Sequence, residues 1–164
     1  MSRNLSIHRG VWPLALLLCC GYGALPALAD TEDSESSGLR EIAAIQAERG
    51  DVGGAKKTVW LIDDKWSQIW GLRDIAMIQA EHKDVAGAKK TIWLMGNKGA
   101  EAAALRDLAV IQAEQRDVAG ARKTVWLMDD KAAQASALRD IAAIQAARGD
   151  VAGAKKTVWL TRRP

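Results

Sequence analysis

Residues 138–160 read Leu138-Arg-Asp-Ile-Ala-Ala-Ile-Gln-Ala-Ala-Arg-Gly-Asp-Val-Ala-Gly-Ala-Lys-Lys-Thr-Val-Trp-Leu160, and closely similar runs begin at Leu39, Leu72 and Leu105. The Leu-Arg pair recurs at 39–40, 72–73, 105–106 and 138–139, a constant period of 33 residues. A period of this length marks stacked supersecondary units, none of which buries its apolar face alone. Each unit carries two helical patterns. In the first unit, Leu39, Ile42, Ala43 and Ile45 fall on one side of a helix, here called helix A, and Val52, Ala55, Val59 and Ile62 on one side of a second, helix B. Asp51, Asp84, Asp117 and Asp150 are placed to cap the second helices. Breaks follow at Asp63-Asp64, Gly96-Asn97 and Asp129-Asp130. Glycine precedes the capping Asp at Gly50 and Gly149, whereas Lys83 and Arg116 stand there in the middle units, where local chemistry alone does not exclude a continuous helix. The expected fold is all-α, an α-solenoid of four helix–turn–helix repeats over 39–71, 72–104, 105–137 and 138–164.

Upstream of the repeats the composition changes twice. Arg3 and Arg9, the largely apolar run from Val11 to Ala27 and the small-x-small triplet Ala27-Leu28-Ala29 have the layout of a secretory signal peptide over 1–29. An uncleaved membrane anchor is the competing reading, but Pro13, Gly21, Gly23 and Pro26 interrupt its span. Residues 30–38 are acidic and without apolar side chains, and are expected to form a disordered linker. The chain contains 23 Lys and Arg against 20 Asp and Glu. Cleavage removes two Arg and no acid, so the mature balance is 21 − 20 = +1, which gives no case for nucleic-acid binding. Cys19, Cys20 and His8 leave with the same segment. The remainder has no cysteine and one histidine, His82, so neither a thiolate site nor a histidine-rich metal site is expected, and no cofactor is implied.

The pattern Ile141-Ala142, Gly149-Asp150 and Ala154 resembles the tetratricopeptide repeat family, in register over residues 39–160. The departures are a 33-residue period in place of the family's usual 34 and no proline closing the internal units. Gln46, Gln79, Gln112 and Gln145 stand where that family usually has an aromatic residue, and Lys56, Lys89, Arg122 and Lys155 where an apolar one is usual. The resemblance implies a superhelix whose A helices line a concave groove that receives peptides or partner proteins.

Several side-chain series recur with the period. Trp60, Trp93, Trp126 and Trp159 supply one large ring per unit, which suits packing between units; buried rings of this kind cost about 3–5 kcal/mol to remove. The four glutamines fall near the centre of the apolar face and are expected to bond to a neighbouring unit or turn, because an unpaired buried amide costs about 1–3 kcal/mol. Arg40, Arg73, Arg106 and Arg139 form a ladder with two open readings: carboxylate recognition at a groove edge, or pairing with acids one turn away or in the next unit. Lys56, Lys57, Lys89, Lys90, Arg122, Lys123, Lys155 and Lys156 give helix B a basic stripe, expected to be solvated; with Arg162 and Arg163 it is also a candidate for contact with anionic surfaces.

One stretch breaks the repeat. Trp66, Trp70, Arg73 and Met77 lie within about 60° of one another on an ideal helix. Their counterparts in the third unit are Gly99, Ala103, Arg106 and Val110. Tryptophan with arginine is the composition of interface hot spots, and the alternative is that both rings form a lid over the short first unit. The candidate partner-binding set is Trp66, Trp70, Arg73, Met77, Arg106 and Arg139. Catalysis has little support, since the paired acids sit at helix ends and serve as caps. The expected function is an exported interaction module, periplasmic or secreted, without a membrane span after cleavage, that takes a protein or peptide partner. The alternatives are self-assembly of copies through the last unit, where Ile144, Val158 and Leu160 are expected to be partly exposed, and attachment to an anionic envelope surface.

Overall fold

The computed structural model describes residues 29–161, with side chains from Ser34 onward. The expected signal segment up to residue 28, and Arg162 and Arg163, lie outside the described residues. The described chain is all-α: α1 (Ala29–Glu48), α2 (Val52–Val59), α3 (Lys65–Glu81), α4 (Val85–Trp93), α5 (Lys98–Glu114), α6 (Val118–Val125), α7 (Lys131–Ala147) and α8 (Val151–Leu160). Each helix packs on the next, and each odd-numbered helix also packs on the following odd-numbered one. No described helix is long and apolar enough to cross a membrane. The acidic stretch 30–38, expected as a disordered linker, is instead part of α1. Acidic residues at a helix's amino end complement the positive pole of its macrodipole, and only Gly38 among residues 30–38 strongly opposes helix. Low apolar content therefore does not by itself end this helix.

The turns explain why two helices form in each unit. α3 closes with paired backbone bonds, Lys83 N–H to the Ala80 carbonyl at 2.9 Å and Asp84 N–H to the Gln79 carbonyl at 2.8 Å. That pattern requires a left-handed residue after the cap. Gly50 and Gly149 supply it at φ 87° and 84°, and Lys83 and Arg116 adopt it at φ 65° and 70°. The middle units thus break where the outer ones do, although their sequence there leaves a continuous helix open. Asp51, Asp84, Asp117 and Asp150 then each accept the backbone N–H three residues on, at 2.8 Å in every unit. Asp64, Asn97 and Asp130 cap the odd-numbered helices in the same manner.

A polar clamp inside the core holds the two helices of each unit together. Gln79 accepts from the Thr91 hydroxyl at 2.6 Å and donates its amide to Asp84 at 3.0 Å. The same bonds join Gln112 to Thr124 and Asp117, and Gln145 to Thr157 and Asp150. In the first unit Gln46 accepts from Thr58 at 2.7 Å. The glutamines therefore answer to their own unit's threonine and cap, rather than to the neighbouring unit. Gln79, Gln112, Gln145, Thr91, Thr124 and Thr157 are all buried, so each bond spares a desolvated polar group. The Asp150 carboxyl is held below the usual carboxylate range, first by the Gly153 N–H and then by the Gln145 amide. Around the clamp the core is built mostly from alanine and branched aliphatics, among them Ile75, Leu108, Ile141, Val59, Ile92 and Val125.

Two consequences are measurable. Lys83→Gly and Arg116→Gly relieve a left-handed β-carbon, and each is expected to raise unfolding free energy by about 0.5–1 kcal/mol in denaturant melts. A methyl at Gly120 would overlap the Asp117 carboxylate and the Gln112 amide, whereas one at Gly53 meets only ordinary contact. Gly120→Ala is therefore expected to lower stability by about 1 kcal/mol through loss of the cap. Gly53→Ala, which installs the residue found at Ala86, Ala119 and Ala152, is expected to raise it by about 0.5–1 kcal/mol.

Candidate interaction surface

The recurring tryptophans are not inside. Trp60, Trp93, Trp126 and Trp159 are 45%, 50%, 47% and 54% exposed, and Leu61, Leu94 and Leu127 beside them are exposed too. This overturns the expectation of packing between units. In the first three units the buried positions are the residue before the ring, Val59, Ile92 or Val125, and the residue two after it, Ile62, Met95 or Met128. The periodicity contained the correction, because a helix face through Val52, Ala55 and Val59 turns Trp60 about 100° away. The result is a row of half-exposed rings at the carboxyl ends of α2, α4, α6 and α8.

Trp66 and Trp70 join this row on the first two turns of α3, at 59% and 46% exposure. Lys65 lies over the Trp60 ring at 5.7 Å and Arg73 over the Trp70 ring at 5.4 Å, both within cation–π range. In the third unit the corresponding place is a recess of about 480 Å³, lined by Trp93, Leu127, Gly99, Ala103 and Arg106 with Asp129 at its rim. Gly99 and Ala103 are the counterparts of Trp66 and Trp70. The irregular unit thus presents rings where its neighbour presents a hollow. Met77 is half-buried and packs against the core, so it supports the surface and does not project from it.

The arginine ladder is engaged within the chain. Arg40 pairs with Asp74 at 2.8 Å, Arg73 with Asp107 at 2.5 Å and Arg106 with Asp140 at 2.6 Å. Each pair joins one odd-numbered helix to the next. Of the two open readings, pairing with the acid of the following unit is the one found. Bonding to Asp140 also raises the Arg106 pKa above its already high ordinary value. Arg139 is exposed, and its bond is to the Ala135 carbonyl of its own helix at 3.2 Å.

The basic stripe divides in two. Lys57, Lys90, Lys123 and Lys156 are exposed, each three residues before a tryptophan. Lys56, Lys89 and Arg122 are half-buried, and Arg122 donates to the Thr157 hydroxyl at 2.5 Å. The exposed lysines therefore share a helix flank with the rings.

The exposure of the rings sets their energetic role. Trp126→Ala is expected to change unfolding free energy by about 1 kcal/mol or less, and a denaturant melt showing a loss of about 3–5 kcal/mol would return the ring to the core. No known protein family, curated protein or solved structure matches the chain.

Proposed function

We propose that the chain is an exported interaction module, a TPR-like α-solenoid of four units that docks a protein or peptide segment along its tryptophan-lined flank. The supporting observation is the repeated placement of a half-exposed tryptophan directly after a buried Val or Ile, three times with an exposed leucine beside it. Large rings left half in water and spaced by a regular scaffold give contact area at little conformational cost. Trp66 and Trp70 are the proposed anchors, and the recess beside Trp93 receives an apolar side chain of the partner. Arg73 and Arg106 serve by holding adjacent helices in register and, for Arg73, by stacking on Trp70. The partner is an extended or helical segment with apolar anchors.

The test is a peptide-display library panned over the immobilised protein and over a Trp66→Ala, Trp70→Ala variant. Peptides with apolar anchors are expected to bind the first at least about tenfold more tightly, with unchanged melting temperature. Equal binding by both would remove the rings from the site. A second reading is favoured by the exposed lysines beside the rings, since Trp and Lys together suit an anionic membrane surface. Salt-sensitive sedimentation with anionic vesicles, in the absence of any enriched peptide, would select it.

A further inference from the structure

The bonds between consecutive units have open halves at the two ends of the described chain, and those halves complement one another. The arginine ladder runs forward, each Arg reaching the acid 34 residues on. At the far end Arg139 has no acid partner among the described residues, and at the near end Glu41, counterpart of Asp74, is exposed and unpaired there. A second series runs backward. Gln115 donates to the carbonyls of Ala80 and Glu81 at 2.9 and 3.2 Å, and Arg148 to those of Ala113 and Glu114 at 2.7 and 2.5 Å. The counterpart donor at the near end is the exposed Arg49, and the counterpart acceptors at the far end are the carbonyls of Ala146 and Ala147.

The apolar surfaces follow the same logic. Ile42 is 50% exposed, whereas its counterparts Ile75, Leu108 and Ile141 are fully buried, each in the helix that packs on the preceding unit. Val158 is 39% exposed, whereas Val59, Ile92 and Val125 are fully buried. On that far face lies a shallow recess of about 520 Å³ lined by Ala142, Ala143, Ala146, Val151, Val158 and Arg139. Ala146 on this face is exposed, whereas its counterparts Ala80 and Ala113 are buried in helices on which the next odd-numbered helix packs. The recess has the lining that receives such a helix, and α1 carries the isoleucines that such a helix presents.

We infer that the far face formed by α7 and α8 docks the α1 face of a second copy of this chain, continuing the array in register, with Arg139 against the partner copy's Glu41. The contact is head-to-tail, so it leaves both outer ends free to repeat it, and association is not bounded at two copies. The recess also includes Trp159, the last ring of the tryptophan row, but the proposed peptide anchors Trp66 and Trp70 and the recess beside Trp93 lie elsewhere, so the inference stands independently of the proposed peptide binding.

Sedimentation velocity on the purified protein, over a series from micromolar to millimolar, tests it. The expected result is a mass that grows with concentration beyond a dimer. Glu41→Arg alone and Arg139→Glu alone each set like charges face to face, and are expected to weaken association at least about tenfold. An equimolar mixture of these two variants pairs opposite charges at every junction and is expected to restore it. Both residues are exposed, and thermal melts by circular dichroism verify that the variants fold; Ile42→Ser, which removes an apolar anchor without adding charge, gives a second and independent loss. A protein that stays monomeric to millimolar concentration overturns the inference. So does association that ignores all three substitutions, or a mixture that fails to recover.

Discussion

The glutamine in each odd-numbered helix is the constraint on which the rest turns. It sits amid aliphatic side chains, buried in α3, α5 and α7 and half-buried in α1, and it bonds the threonine hydroxyl of the second helix. In the later three units it also bonds the aspartate that starts that helix. That one side chain fixes the distance between the helices and orients the cap. The capping aspartate closes the space over the third residue of the second helix, joined in the later three units by the glutamine amide, which is why a glycine stands there in every unit. An apolar residue in the glutamine's place would pack as well but would leave the threonine and the cap without their common partner.

The spacing of Leu-Arg, Asp and Trp made the helix count, the second-helix caps and the breaks between units readable, because these depend on local chemistry with a fixed period. The clamp was half readable: an amide at the centre of an apolar face demands a partner, but only the packing shows that Thr and Asp of the same unit provide it. The tryptophans fall outside the core for a reason of phase, not of size. A ring one residue past a buried valine falls off the core face however apolar it is. The arginines were undecidable from sequence, since the acid that receives each one lies on another helix and local spacing does not reveal the offset between helices. The extension of α1 through residues 30–38 shows that composition alone does not mark a helix end.

The candidate surface owes its regularity to the same scaffold. Trp60, Trp93 and Trp126 each follow a fully buried Val or Ile, so these rings inherit their spacing from the core. The irregular stretch in α3 sits on this row. Its rings occupy positions at which the third unit has glycine and alanine, and Arg73 reaches both Trp70 and Asp107. The proposed recognition on this flank and the cohesion between units therefore meet at a single guanidinium.

The forward ladder of Arg to Asp has a consequence for how such a chain changes length. Every internal junction uses the same donor and acceptor at the same offset. Removing one whole period, or copying one, therefore re-forms each junction with a residue pair already in use and strands no buried amide. A partial period would instead shift an arginine off its carboxylate and a glutamine off its threonine at once. The number of units is for that reason a nearly free variable, whereas the 33-residue interval is not.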